Sequence, residues 1–172
     1  MKPWICLLGL RSSGKTTVGR ELSSQLNWSF TDTDQMLIKQ EGYSISELFN
    51  IFGESRFRAL ETQCLFKLPA RNLVLATGGG IIENREAIRY IQKRAICIYL
   101  EVPLNILVTR RNNDPGDRPL LFGASGIREE YSIALERRSC LLQKASNVVL
   151  KVTCDDSVLD ICQKIRRACG IQ

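Results

Sequence analysis

The chain has 172 residues, of which 24 are lysine or arginine and 18 are aspartate or glutamate, for a formal net charge of +6. Its hydrophobic fraction of 44% is typical of a globular protein, and no apolar run is long enough to span a bilayer. The absence of histidine excludes a Ser-His or Cys-His nucleophile, so a general base must be a carboxylate, a lysine or a less usual group.

Apolar runs alternate with helical patterns along the chain. The first run, 4–10, predicts a buried strand rather than a signal peptide, because it lacks a small-residue cleavage site. A helix at 15–26 carries Val18, Leu22 and Leu26 on one stripe, and the short segment NWSF then leads into the aspartates at 32 and 34. The later predicted elements are helices at 34–40, 44–50 and 53–68, a strand at 72–77, a helix at 84–93, a strand at 95–101, helices at 103–111 and 127–145, a strand at 147–152 and a helix at 156–169.

This alternation predicts one α/β domain over residues 1–172, a three-layer α/β/α fold with a five-stranded parallel sheet. Ligands of such sheets bind beyond the carboxyl ends of the strands. The segments 9–16, 32–34 and 78–80 fall at those ends, so we expect the site there. The segment 112–126 is rich in Gly, Asn, Asp and Pro, which predicts a loop.

The segment GLRSSGKT at 9–16 matches the phosphate-loop pattern G-x-x-x-x-G-K-[ST]. Its glycines let backbone N–H groups turn toward phosphate oxygens, and the following helix presents its positive N-terminus. Lys15 is expected to contact the β- and γ-phosphates and Thr16 to bind Mg²⁺. A plain strand-to-helix turn is the alternative, but the buried strand before the motif favours nucleotide binding. The other predicted ATP-binding residues are Ser12, Ser13, Gly14 and Thr17.

The basic residues are dispersed, and no run of five marks a nucleic-acid-binding tail. The seven cysteines are irregularly spaced and form no CxxC pair, which argues against a disulfide framework and a zinc site. Free thiols of this kind are typical of a reducing compartment. We therefore expect a cytoplasmic protein without a nucleic-acid or membrane partner.

Several spaced motifs together resemble the shikimate kinase family, small P-loop kinases of the nucleoside-monophosphate-kinase type. They are GLRSSGKT at 9–16, DTD at 32–34, FRALE at 57–61, TGGG at 77–80, RPLL at 118–121 and ERRSCLL at 136–142. The resemblance runs from Trp4 to about Ile165 and implies transfer of the ATP γ-phosphate to the 3-hydroxyl of shikimate, on the route to chorismate and the aromatic amino acids. It also implies Mg²⁺ as cofactor, and we expect a monomer.

The same resemblance implies a role for individual residues of the segment at about 32–61 and beyond. Arg58 and Arg138 are expected to bind the shikimate carboxylate, which suits the planar guanidinium fork. Asp34 is expected to bind ring hydroxyls and to act as the general base, and the Gly79 N–H to contact the substrate. Asp32 is expected to hold Mg²⁺ through water.

The loop at 112–126 is implied to be a lid whose Arg118 reaches the transferring phosphate. Arg111 is implied to lie against adenine, with its neighbour Arg110 as the alternative. The sequence departs from the pattern typical of the family at two motif positions. Ser12 stands where the family often has glycine, and Leu142 stands where it often has tyrosine.

Simpler interpretations of these residues are open. Asp32 and Asp34 are also good helix caps, and Arg58 is well placed to pair with Glu54 or Glu61 on one helix face. Arg137 is the alternative to Arg138.

The competing functions are a kinase for gluconate or a nucleoside monophosphate, and a nucleotide-dependent switch. The lack of an NKxD guanine-recognition motif disfavours a GTPase-type switch.

Overall fold

The structure, a computed structural model, describes residues 4–113 and 120–171. The strands are β1 (Trp4–Leu8), β2 (Ser29–Asp32), β3 (Leu73–Ala76), β4 (Ala95–Glu101) and β5 (Val148–Lys151). The helices are α1 (Lys15–Leu26), α2 (Thr33–Glu41), α3 (Ile45–Leu65), α4 (Arg85–Arg94), α5 (Leu104–Asn113), α6 (Ile127–Ala145) and α7 (Val158–Cys169). A short 3-10 turn at Ile81–Glu83 precedes α4.

The five strands form one sheet in the order β2-β3-β1-β4-β5, and all neighbours are parallel. The continuous apolar sequence of β1 fits its central place, where every residue of the strand is buried. The predicted α/β architecture with a five-stranded parallel sheet is confirmed. Because β1 lies between β3 and β4, its carboxyl end opens on the crevice where such sheets bind ligands.

A second, smaller core joins α2 to α3, beside the main core around the sheet. Its buried members are Leu37, Leu48, Phe57, Leu60 and Cys64. The Phe49 ring stacks on Phe57 with centroids 4.1 Å apart. Helices α2 and α3 therefore pack on each other around this smaller core, and Arg58 lies on α3.

The two helices predicted at 44–50 and 53–68 are joined in α3, with a break at Gly53. Gly53 has φ 71, a backbone conformation that glycine adopts without a steric penalty. The end of the segment NWSF begins the edge strand β2, which runs over Ser29–Asp32. The 3-10 turn before α4 was not predicted from the hydrophobic periodicity. The predicted Arg118 lies outside the described residues, with the rest of 114–119.

All seven cysteines are free thiols, and Cys6 and Cys97 are core residues, as expected. Within 4–113 and 120–171, the helices are all too short or too polar to traverse a bilayer.

We predict that Leu75→Ala on β3 lowers the free energy of unfolding by about 2–5 kcal/mol, because a fully buried leucine leaves a cavity in a close-packed core. Urea denaturation measures the change. Leu159→Ala is the matched control, since that side chain is 55% exposed on α7, and the loss there is expected to be below about 0.5 kcal/mol. Equal losses in both variants would contradict the assignment of the core.

Candidate active site

The segment 9–16 connects β1 to α1 as a tight loop. Gly14 has φ 91 and is the N-cap of α1. The Lys15 ammonium donates to the Leu10 carbonyl at 2.6 Å and to the Ser13 hydroxyl at 3.2 Å, so it lies over the loop. A lysine and the N-terminus of a helix at one place form a site for phosphate groups.

Two residues of helix α6, Glu130 and Tyr131, make side-chain hydrogen bonds to this loop. Ser12 has φ 58, a left-handed conformation that costs a non-glycine residue about 1–2 kcal/mol. Its hydroxyl lies 2.8 Å from the Tyr131 hydroxyl, and Arg11 donates to Glu130 at 3.1 Å. Burial raises the pKa of Tyr131, which keeps its hydroxyl protonated and available for the bond. These contacts hold a serine where the family often has glycine.

Two aspartates lie at the carboxyl end of β2. Asp32 Oδ2 accepts a hydrogen bond from the Thr16 hydroxyl at 2.6 Å, and Oδ1 caps α2 by accepting from the backbone N–H groups of Asp34 and Gln35. The capping interpretation therefore holds for one oxygen of Asp32, while the other faces the phosphate loop. The Asp34 carboxylate lies against Gly78, where a Cβ atom would overlap Asp34 Oδ1.

The Thr16 hydroxyl and the Asp32 carboxylate offer hard oxygen atoms, which are the ligands that Mg²⁺ prefers. In the part of the chain that the structure describes, no group of three or more His, Cys, Asp or Glu side chains could hold a metal ion. Mg²⁺ usually keeps several waters and binds substrate phosphates rather than an all-protein cage. The donor set therefore fits Mg²⁺ held together with a nucleotide.

Arg58 from α3 and Arg138 from α6 meet at the glycines that follow β3. Arg58 Nη1 donates to the Gly80 carbonyl at 3.1 Å, and Arg138 Nη1 donates to the Gly79 carbonyl at 3.3 Å. Arg138 is buried and Arg58 is half-buried. The structure thus brings together two cations that are 80 positions apart in the sequence, beside the phosphate loop.

Three glutamates surround these arginines. Arg58 donates to Glu61 at 2.9 Å, to Glu83 at 3.2 Å and to Glu54 at 3.4 Å, so both pairings considered from the sequence occur. Arg138 donates to Glu83 through Nε at 3.2 Å and through Nη2 at 2.9 Å. No sequence pattern indicates a role for Glu83, because its partners come from two helices that are distant in the sequence.

The ion pair between Arg58 and Glu61 is largely shielded from solvent, with side chains that are 18% and 3% exposed. Burial raises the pKa of Glu61, and the hydrogen bond from Arg58 offsets this only in part. Burial is the largest single influence on Arg58 and acts to lower its pKa, but the hydrogen bond to Glu61 and the charges of Glu61, Glu83 and Glu54 together raise that pKa. The Arg58 guanidinium is therefore charged at any pH at which the protein is folded.

Two further residues position the arginines and were not predicted. Asn84 caps α4 through Oδ1, and its amide donates to the Arg58 carbonyl at 2.9 Å. Asparagine before a predicted helix signals the cap but not the second contact. The Phe122 ring lies under Arg137 and Arg138, with centroid distances of 4.8 and 5.1 Å to their Cζ atoms.

The two arginines in the last turn of α5, Arg110 and Arg111, have different surroundings. Arg110 Nη1 donates to the Ser12 carbonyl at 3.4 Å, on the phosphate loop. Arg111 is buried, and its charge acts on Tyr131. The role of either arginine in adenine binding stays a prediction.

The order of the strands and the loop between β1 and α1 place the chain among the P-loop kinases. The family model "Shikimate kinase" matches residues 11–169. The chain therefore belongs to the shikimate kinase family, ATP-dependent kinases that phosphorylate shikimate.

Known relatives agree with this assignment. The chain is 34% identical over 171 residues to the shikimate kinase of Clostridium botulinum, covering 97% of this chain and 98% of the relative. It is 37% identical over 149 residues to shikimate kinase 2 of Escherichia fergusonii, covering 86% and 82%. The structure of shikimate kinase from Acinetobacter baumannii in complex with shikimate matches with a TM-score of 0.89 and 32% identity, over 99% of this chain and 94% of that one.

We predict that Gly78→Ala lowers kcat for shikimate-dependent ADP release by roughly ten- to a hundredfold, because the new methyl group displaces the Asp34 carboxylate. A coupled assay for ADP measures the rate. Leu159→Ala is the control, since that side chain is 55% exposed on α7, which carries none of the predicted site residues. Full activity of Gly78→Ala would show that the position of Asp34 does not matter.

We predict that Tyr131→Phe raises KM for ATP about two- to tenfold, the range expected when one buried hydrogen bond is lost. KM for shikimate should stay unchanged, since the ring still packs in the core. Steady-state kinetics with each substrate varied in turn distinguishes the two constants. Tyr90→Phe, on a ring that packs against Trp4 and Phe66, serves as control.

Proposed function

We propose that the chain transfers the γ-phosphate of ATP to the 3-hydroxyl of shikimate through the residues gathered at the carboxyl ends of β1, β2 and β3. The hydroxyl oxygen forms a bond to the γ-phosphorus as the bond from that phosphorus to the β–γ bridging oxygen breaks. The hydroxyl loses its proton, and ADP and shikimate 3-phosphate leave. The observation that carries the proposal is the meeting of Arg58 and Arg138 at Gly79 and Gly80, beside the phosphate loop.

Arg58 and Arg138 bind the shikimate carboxylate in this proposal. A guanidinium fork matches two carboxylate oxygens, and burial strengthens the interaction. Arg138 is favoured over the exposed Arg137 because it is buried and reaches the Gly79 carbonyl. The Gly79 N–H contacts the substrate, where the absence of a side chain lets a ring approach the backbone.

Asp34 binds the ring hydroxyls and accepts the proton of the 3-hydroxyl. Its place beside Gly78, at the start of α2, supports this role. In a chain without histidine, a carboxylate is a suitable base. Phosphoryl transfer depends strongly on positioning, so Asp34 also orients the hydroxyl oxygen toward the γ-phosphorus.

The nucleotide binds at the phosphate loop, with its phosphates on Ser12, Ser13, Gly14, Thr16 and Thr17 and on the Lys15 ammonium. Lys15 is the catalytic cation, since it turns from the Leu10 carbonyl to the phosphates. Thr16 and, through water, Asp32 are the residues that would hold Mg²⁺, which would supply positive charge to neutralise the phosphates. The short bond between those two side chains supports this assignment.

The loop 112–126 acts as the lid of a single kinase domain, and its Arg118 neutralises charge on the transferring phosphate. The packing of Phe122 on the two arginines of α6 supports a link between the lid and the acceptor site. Arg111 contacts adenine, with Arg110 as the alternative that alanine variants decide. We also propose a cytoplasmic monomer, with seven free cysteines in support of a reducing compartment.

The test is ADP release from Mg²⁺-ATP with shikimate, gluconate, UMP or CMP, or no acceptor. We expect release with shikimate alone. Asp34→Asn should lower kcat by about a hundredfold or more, the usual range for a general base. Arg58→Ala should raise KM for shikimate about tenfold or more, since a charge-assisted bond to the carboxylate is lost.

Arg56→Ala is the matched control, because Arg56 is exposed on the same helix two positions away. Its kinetic constants should equal those of the unaltered chain. Release with another acceptor would keep the kinase class and contradict the roles of Arg58 and Arg138. ATP binding without any acceptor dependence would favour the nucleotide-switch alternative.

A further inference from the structure

Glu83 already supplies a carboxylate to both of the arginines proposed to bind substrate. Its Oε2 atom lies 2.9 Å from Arg138 Nη2 and 3.2 Å from Arg58 Nη2, and its Oε1 atom lies 3.2 Å from Arg138 Nε. The Nε–Nη2 fork of Arg138 is thus filled by one side chain of the protein. Glu83 comes from the short 3-10 turn directly after the glycine triplet.

The charges of this cluster are balanced before any ligand arrives. Arg58 is paired with Glu61, whose side chain is only 3% exposed, and Arg138 is paired with Glu83. Glu54 adds a further charge from a side chain that is 69% exposed, where water screens it. A substrate carboxylate would therefore add unmatched negative charge in a half-buried place unless one glutamate moves away.

Of Glu61 and Glu83, the two glutamates that match the charges of the arginines, Glu83 is the one placed to move away. Glu61 is enclosed and shares Arg58 with the Gly80 carbonyl. Glu83 has a side chain that is 29% exposed, so it can turn to solvent without crossing the core. Its departure leaves the Nε–H and Nη2–H of Arg138 for another carboxylate, together with one Nη2–H of Arg58, whose Nη2 also donates to Glu54.

We propose that Glu83 is an internal competitor for the carboxylate of the substrate. It holds Arg58 and Arg138 together while the acceptor site is empty and yields its place when shikimate binds. The inference rests on the proposed binding role of the two arginines. It makes Glu83 a specificity-determining residue, because a ligand must bind the two guanidinium groups more strongly than the Glu83 carboxylate does. Weakly binding anions fail to displace it.

Glu83→Gln tests the proposal, since the amide keeps the shape and loses the charge. We expect KM for shikimate and its dissociation constant by titration calorimetry to fall about three- to tenfold, the gain from removing one partly exposed competing charge. The kcat value should change by less than about twofold. Acetate should inhibit the variant several-fold more strongly than the unaltered chain. The methyl ester of shikimate should bind both proteins equally.

Glu54→Gln is the matched control. It removes the same charge beside the same Arg58, from an exposed side chain whose ion pair is with Arg58 and not with Arg138. Its KM for shikimate should stay within about twofold of the starting value. A comparable gain in this variant would attribute the effect to general charge around the pocket and overturn the proposal.

An unchanged KM for shikimate in Glu83→Gln would also overturn the proposal. A raised KM would overturn it too, because it would show that Glu83 positions the arginines for the substrate instead of competing with it. Thermal unfolding of each variant separates these outcomes from a folding defect, and acetate inhibition gives a second measurement. If the unaltered chain turns over shikimate and Glu83→Gln does not bind it more tightly, this inference alone fails. If the unaltered chain does not act on shikimate, the proposed function fails first.

Discussion

The pairing of β1 with β3 is the constraint on which the site depends. Leu7 stands opposite Ala76 in the sheet, and Thr77 donates to the Leu7 carbonyl just beyond it through both its N–H and its hydroxyl. Parallel strands end on the same edge, so the phosphate loop after β1 and the glycine triplet after β3 emerge side by side. A Cβ atom on Gly79 would lie 3.2 Å from the Arg11 backbone nitrogen. The two segments are therefore in contact, so groups bound at the phosphate loop and at the glycine triplet would lie next to each other.

Charge balance is the second requirement of this edge. Two guanidinium groups held close together would repel each other in a medium that screens less than water. Glu61 and Glu83 provide matching charges, and glycine carbonyls accept further hydrogen bonds. Removing one partner of such a cluster leaves an unmatched charge, so the cluster favours one arrangement of α3 and α6 over alternatives. The arginines are therefore held in position by acids of the protein itself, and in the inference drawn above Glu83 is the acid that the ligand replaces.

Local sequence signals predict the parts of the molecule that local physics determines. The buried strand at 4–10, the helix at 15–26 and the motif between them follow from hydrophobic periodicity and from glycine positions, and the structure agrees. Glu83, Asn84 and Phe122 could not be assigned in this way. Their contacts join segments that are distant in sequence, and an asparagine or glutamate near a predicted helix is equally typical of a cap or a solvated face. The 3-10 turn was missed for the same reason, since three residues carry no periodic pattern.

Helix α6 links the two halves of the site through its own geometry. Glu130 and Tyr131 contact the phosphate loop, and Arg138 contacts the glycine triplet seven positions after Tyr131. Seven residues make about two helical turns, so Tyr131 and Arg138 lie on one face. Because Tyr131 and Arg138 belong to one helix, a rotation of α6 about its axis would move the contact with the phosphate loop and the contact with the glycine triplet together. Phe122, five residues before α6 begins, packs on Arg138, so a displacement of its ring would act on the arginine and, through the same helix, on the contact of Tyr131 with Ser12.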